Sequence, residues 1–372
     1  MFTVISYFLL FAFIHFIFGD KVSKNKLALQ QQVVIVFIAL FIFWGFRGLT
    51  VLNDTNHYYL AQYKLINSYN FEQISVFHIN KKHIWEPGFL IYCNIIGKIF
   101  TNPYALIIIS TSILILSTIY ILKKNTPYVA LAIFLLMSFG YFFGQVSAIR
   151  QGLALSIFYL SFESIKKKKH YLTLTLLVAA YFFHTSASVL FILWVLSYVE
   201  ITRRNVIIGL SATIIILVFM GEIVSLINLN DNAYFEQALN RKNMAIAAIL
   251  FTVIQGIVLI SGMKLKYMFR IPMPINMITW GALLNFFFTL FSVYIQVFAR
   301  FSIYFGVFSV LFFMHFILHS PRRVRVVYLL ITGTILLAQN IMLITYRNEW
   351  YHLVPYSIHN IFSDVQIIHT GY

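Results

Sequence analysis

Residues 147–162 read SAIRQGLALSIFYLSF, and two properties of that run decide the fold. It is apolar enough to lie in a bilayer as a helix, the one open-ended element that pairs its backbone N–H and C=O groups within itself along all but its end turns. Yet Arg150 stands near its start. A cation at that depth costs on the order of 3 kcal/mol, so an ionisable residue in a span is a functional-site hypothesis by default. No carboxylate lies within a helical turn of Arg150, so its anion must come from a distant segment or from a ligand.

The rest of the chain is of the same kind. Its 372 residues are 60% hydrophobic, 18% aromatic and only 10% charged, with a mean hydropathy of +0.84, which no soluble domain of this length shows. The reading is an all-α, polytopic integral membrane protein forming one transmembrane domain over residues 1–372. The formal charge of +16 does not point to nucleic acid, because the basic residues fall in short clusters between apolar runs and no polar basic domain exists to carry such binding. The single cysteine, Cys93, excludes an intrachain disulfide. Residues 1–19 lack a basic start and a small-residue cleavage site and read as a retained first span.

Apolar runs near 1–19, 27–46, 104–122, 127–144, 146–164, 205–227, 244–262, 276–298, 301–319 and 326–345 are each about long enough for a spanning helix. Two regions fit less simply. The run 87–101 is short, and 171–199 is interrupted by His184, Thr185 and Ser186, so that about 10–14 membrane segments are expected, re-entrant or broken helices included. Orientation follows from the basic clusters Lys21/Lys24/Lys26, Lys123/Lys124, Lys166–Lys169, Arg203/Arg204, Lys264/Lys266/Arg270 and Arg322/Arg323/Arg325. All six lie inside if 171–199 makes two short passes with His184 at the outer turn and 87–101 dips in without crossing. A rival arrangement, in which 87–101 crosses fully, violates the charge bias. The preferred one leaves outside a main loop 47–86, a second loop 228–243 and a tail 347–372.

That orientation gathers the unusual residues on one side. Arg47 follows the second span in FWGFRGL, Arg150 is near the outer start of its span, His184 is at the outer break, and Arg300 is at the outer joint in QVFARFSIYF. Asp54 and Glu86 lie in the loop that begins at Arg47. Arginine suits a diphosphate, since its planar fork makes paired charge-assisted hydrogen bonds and stays charged when desolvated. Each residue also has a structural reading: Arg47 and Arg300 as span-end arginines reaching headgroups, Arg150 as half of an ion pair fixing helix packing, His184 as a bonder of backbone groups freed at the break, and Glu86 as a helix N-terminal acid before Pro87. Their joint placement favours a site.

Other patterns carry less. His315 and His319 stand four apart on one helix face but beside Arg322 and Arg323 and far from any acid, so no metal site is expected. No Walker-type loop, dinucleotide fingerprint, zincin motif or nucleophile elbow occurs, and no cofactor is expected. Lys166–Lys169 read as an anchor to anionic membrane lipid. Trp350, Tyr351, Pro355 and Tyr356 read as an interfacial aromatic anchor.

The order Arg47-Gly48-Leu49, Asp54 and Tyr58, then EPGF from Glu86, AIRQGLALSIF around Arg150, FFHTSA around His184, ARFSIYF around Arg300 and a late PYS at Pro355 resembles the EpsG family, which belongs with the Wzy-type polymerases of bacterial surface polysaccharides such as O-antigen. The IRQ and HTSA blocks, separated by the lysine-rich loop, are its most specific part. The resemblance implies a GT-C-like glycosyltransferase of the bacterial inner membrane, working at the periplasmic or cell-exterior face without a metal. It would move a growing glycan from undecaprenyl diphosphate to a sugar hydroxyl of the next lipid-linked oligosaccharide repeat unit, with a chain-length regulator as a further partner.

That chemistry needs cations where the diphosphate departs, for which Arg150 and Arg300 come first and Arg47 next. It needs a base or hydrogen-bond acceptor for the acceptor hydroxyl, for which Asp54, Glu86 and His184 compete, Asp54 slightly ahead. Tyr58 and Gln151 are the sugar-binding candidates. Direct displacement would invert the anomeric carbon; a retaining, double-displacement course is the other possibility. Three other functions use similar residues: an O-antigen ligase, a flippase for the same lipid, and an O-acyltransferase using His184.

Overall fold

The computed structural model describes residues 2–52, 54–60, 63, 85–219, 245–295, 297–346 and 352–359. The loop 228–243 lies outside them, as do most of 47–86 and of the tail. Among the described residues every named element is helical and no strand occurs. Among these residues five helices are long and apolar enough to cross a membrane, six if one bent pair is counted as a single span, and five further apolar helices are shorter. The protein is therefore an all-α, multi-pass membrane protein.

The chain divides into two compact units, Met1–Ser188 with Thr332–Tyr372, and Val189–Ile331. In the first, α1 is Phe2–Phe18 and α2 is Lys26–Leu40, which winds into a π-helical turn over Phe41–Gly45. The start of α2 is fixed by Asn25, whose side chain accepts from the Leu27 and Ala28 N–H groups at 2.8 and 3.3 Å, the usual role of an N-cap amide. Then come α3 (Pro87–Ile99), α4 (Ala105–Asn125), α5 (Val129–Ser138), α6 (Tyr141–Ser147), α7 (Ile149–Lys166) and α8 (His170–Phe183).

The expected continuous span 127–144 is two helices, α5 and α6, bent by 79°. The bend follows from Gly140, whose φ of +80° is in the left-handed region that only glycine enters without strain. A carbonyl freed at the break, that of Ser138, accepts from the buried Asn340 side chain. The short run 87–101 becomes α3, whose 13 residues reach about 20 Å, against ~30 Å of hydrocarbon. Region 171–199 is broken where the polar triplet interrupts it: α8 ends at Phe183, His184 is extended at φ −160°, and Thr185–Ser188 makes a 3-10 turn.

Packing within the first unit uses small residues, as helix association in lipid requires close backbone approach more than apolar area. On α4, Ser110, Thr111, Ser117 and Thr118 are all buried, and hydroxyls such as Ser117 return their proton to the helix's own backbone, here Leu114 O at 3.0 Å. A cluster of Tyr59, Tyr63, Trp85, Phe89, Tyr104 and neighbours fills the space beside α3, α4 and the start of α7. Trp85 and Phe89 meet edge to face with ring centres 5.0 Å apart.

The second unit holds α9 (Val189–Leu196), α10 (Arg203–Val218), α11 (Ala245–Phe269), α12 (Asn276–Phe291) and α13 (Val297–Leu318). The buried Asn285 on α12 donates to Gln255 Oε1 on α11 at 3.1 Å and to Ser309 Oγ on α13 at 2.7 Å, tying three helices through polar groups that hydrocarbon would penalise if left unpaired. The last helix, α14 (Arg322–Tyr346), begins in the second unit and ends in the first.

Candidate functional site

The site is assembled on three helix ends of the first unit. Glu86 is the residue before α3, in extended conformation (φ −68°, ψ 147°), with Pro87 as the first helical residue. Proline there loses nothing, since its missing N–H is one that the first turn leaves unbonded. The Glu86 side chain does not cap its own helix but turns to two neighbours. Arg150 is the second residue of α7, a helix whose N-terminal neighbour Ala148 supplies no side-chain cap. His184 ends α8 and leads into the 3-10 turn.

Arg150 Nη1 lies 2.6 Å from Glu86 Oε2, and the two side chains are 12% and 8% exposed. His184 Nδ1 lies 2.6 Å from the other oxygen, Oε1, which also accepts from the Thr185 backbone N–H at 3.1 Å. The Trp85 ring sits against the guanidinium, 5.9 Å from its centre, close enough for a cation–π attraction. One carboxylate thus holds the arginine and the histidine that its own sequence position separates by 64 and 98 residues.

Burial pushes the Glu86 carboxyl upward, but the His184 hydrogen bond and the Arg150 charge outweigh it and hold the group down at about 2. An ionised carboxylate has no proton to give, so Nδ1 of His184 is the donor. In the neutral ring the remaining nitrogen, Nε2, is then an acceptor. Arg150 itself occupies an unfavourable place for a cation, the positive end of a helix. A cation there calls for an anion, and Glu86 meets that call in this structure.

The other expected site residues fall elsewhere. Arg47 is completely buried. Its Nη1 donates to Trp44 O at 2.7 Å and Thr111 Oγ1 at 3.0 Å, and its Nε to Thr55 Oγ1 at 3.3 Å. These acceptors are all neutral, and Nη2 is buried without a hydrogen-bond partner among the described residues. The PYS segment covers it: Gly48 N–H donates to Ser357 O at 2.7 Å, His359 N–H to Phe46 O at 2.8 Å, and Arg47 bridges Ile358. The Tyr104 hydroxyl donates to Arg47 O. Tyr356 stacks on Phe43 with ring centres 4.0 Å apart, so it packs on protein where the sequence led us to expect a membrane anchor. Trp350 and Tyr351 lie outside the described residues.

Asp54 is half-buried immediately before a π-helical turn, Thr55–Leu60, and is not one of the groups that Glu86 holds. Tyr58 lies in that turn, its side chain outside the described residues. Gln151 is buried beside Arg150. Arg300 is exposed in the first turn of α13, in the second unit. His315 Nε2 lies 2.8 Å from Pro272 O and His319 Nδ1 lies 2.7 Å from His315 O, so backbone groups occupy these ring nitrogens. Among the described residues no group of three histidine, cysteine or acidic side chains is placed to hold a metal ion.

Sequence reasoning missed Trp85 and Thr185 as members of the site. Both adjoin residues it had singled out, Glu86 and His184. An aromatic face beside a buried cation and a backbone N–H at the start of a new turn were the available signals.

These features define a polytopic helical membrane protein with a water-poor ionic cluster where three helices end. The chain belongs to the EpsG family, whose model matches residues 31–358, a span that contains the whole cluster and the PYS residues 355–357 beside Arg47. That family is associated with polysaccharide polymerase activity. No curated protein and no solved structure matches the chain.

Proposed function

We propose that the protein is a Wzy-type, GT-C-like polysaccharide polymerase of the bacterial inner membrane. It transfers a growing glycan from undecaprenyl diphosphate to a sugar hydroxyl of the next lipid-linked repeat unit, at the outer face. The observation that carries this reading is the single carboxylate of Glu86 shared by Arg150 and His184. It joins a group suited to a departing diphosphate to a group suited to an attacking hydroxyl.

In this reading Arg150, at the start of α7, receives the donor's diphosphate, and Arg47 and Arg300 are separate arginines to be tested each by itself. The acceptor hydroxyl oxygen attacks the anomeric carbon and its proton passes to His184 Nε2. The bond from that carbon to the diphosphate oxygen breaks, and undecaprenyl diphosphate leaves with the electron pair, inverting the carbon. Glu86 keeps the Nδ1–H tautomer and stabilises the imidazolium that forms, the role an orienting carboxylate plays beside a catalytic histidine. His184 is preferred to Asp54 as the base because the Glu86 carboxylate holds its ring and stabilises the charge that forms on it. Tyr58 and Gln151 remain the sugar-binding candidates.

The test is a ladder assay in which purified protein receives one lipid-linked repeat unit as both donor and acceptor. A series of products longer by one unit each is expected. Reaction only with a separate acceptor would instead indicate a ligase, and movement of the lipid between leaflets without any glycosidic bond would indicate a flippase.

A further inference from the structure

We propose that Gly88 is a positioning residue: by carrying no side chain it lets the first turn of α3 rest on the backbone carbonyl of Phe182 at the end of α8, and that contact sets the separation across which Glu86 meets His184. The inference rests on the reading of Glu86 and His184 given above. A Cβ placed on Gly88 would stand 2.7 Å from Phe182 O and 2.9 Å from its carbonyl carbon, well inside van der Waals contact. The obstacle is backbone, which cannot swing aside as a flexible side chain can, so one helix must move.

The geometry says where the movement is felt. Gly88 is two residues after Glu86 and Phe182 is two residues before His184, so the close contact and the Glu86–His184 hydrogen bond are neighbouring rungs between the same two segments. One turn further along α3, Tyr92 meets Phe183 with ring centres 5.9 Å apart, a second contact between the same two helices. A wedge at Gly88 acts two residues from Glu86 on one segment and two residues from His184 on the other, so it is felt at their hydrogen bond. Pro87, with its fixed φ, leaves little slack between Gly88 and Glu86 to absorb the shift. The hydrogen bonds at 2.6 Å from His184 and 3.1 Å from Thr185 both end on Oε1, so both lengthen together. Arg150, on a long side chain, can follow Oε2.

The positioning role thus separates turnover from substrate capture. Misplacing a reacting group by about 1 Å costs roughly a hundredfold in rate, while capture of the diphosphate by Arg150 is left in place.

The experiment is the ladder assay on full-length membrane-embedded protein, with kcat and KM for the lipid-linked repeat unit measured for wild type, Gly88→Ala, Phe182→Ala and the double variant Glu86→Gln/Gly88→Ala. Gly88→Ala is expected to lower kcat roughly a hundredfold with KM within about twofold. Phe182→Ala keeps the carbonyl and is expected to stay within about twofold of wild type. In the Glu86→Gln background Gly88→Ala is expected to cost nothing further. Wild-type kcat in folded Gly88→Ala, or a loss that falls on KM and spares kcat, would overturn the proposal. So would a Gly88→Ala chain that fails to fold, or an undiminished loss in the double variant, since each assigns the contact to architecture alone. If Glu86→Gln and His184→Gln both turn over normally, the reading beneath the proposal fails, and the proposal with it.

Discussion

Glu86 Oε2 and Arg150 Nη1 stand 2.6 Å apart, joining the start of α3 to the start of α7 across 64 residues of sequence. The pair explains how a cation is tolerated in an apolar segment: its counter-charge is buried with it and has its own further bonds to His184 and Thr185. In the proposed mechanism it holds the guanidinium ready for the donor's diphosphate.

Arg150→Ala is expected to abolish chain extension while the protein still accumulates in membranes, because the lost charge is one that was costly to bury. Arg150→Lys is expected to restore little, since a lysine has no planar fork to match phosphate oxygens. Product ladders on gels, set beside immunoblots of the membrane fraction, provide the check. Ladders of normal length from either variant would reject the assignment.

The depressed ionisation of Glu86 has a stability consequence whose sign is fixed. Its folded value, about 2, lies below the unfolded value of about 4.3. The ionised group therefore stabilises the fold fully above about pH 4.3, and that contribution is lost as pH falls toward 2. Melting of wild type and Glu86→Ala in detergent should differ most at neutral pH, by a destabilisation of about 3 kcal/mol or more for a broken buried pair. The gap should close on acidification below about pH 4. A gap that stays constant down to pH 3 would contradict the shared-carboxylate account.

His184→Gln removes the base while leaving a side chain able to donate toward Glu86. Turnover is expected to fall by roughly 10²–10⁴-fold, with lipid-substrate KM nearly unchanged. A variant that raises KM and spares kcat would place His184 in binding and not in proton transfer.

Arg47→Leu strips donors from three buried oxygens, those of Trp44, Thr55 and Thr111, and unpaired buried acceptors cost about 1–3 kcal/mol each. It should lower the melting temperature and expose the 352–359 segment to limited proteolysis, whereas Arg150→Ala, which breaks a different buried pair, should leave that segment protected. Unchanged melting and proteolysis would show that the buried contacts contribute nothing measurable.

Most of the fold is legible in the sequence because hydrocarbon admits few alternatives to the helix. The break at His184 is announced by three consecutive polar residues, and Pro87 marks the start of α3. The bend at Gly140 is not announced, because glycine is common in membrane helices and only its backbone geometry separates a kink from a continuous span. For the site, Arg150, Glu86 and His184 stand out as charges and breaks in apolar surroundings. Which acid answers Arg150 is a matter of tertiary distance that spacing does not encode, and Asp54 and Glu86 compete on equal terms until α3, α7 and α8 are assembled. Arg47 reads as a span-end cation, whereas the packing of a segment some 300 residues later, Tyr356 onto Phe43, buries it.

The most direct measurement is the ladder assay run side by side on wild type, Arg150→Ala and His184→Gln, with a single lipid-linked repeat unit as the only substrate. Wild type should yield a ladder, Arg150→Ala none, and His184→Gln short products that lengthen slowly with time. No glycosidic product from folded wild-type protein, or equal ladders from all three, would contradict the account.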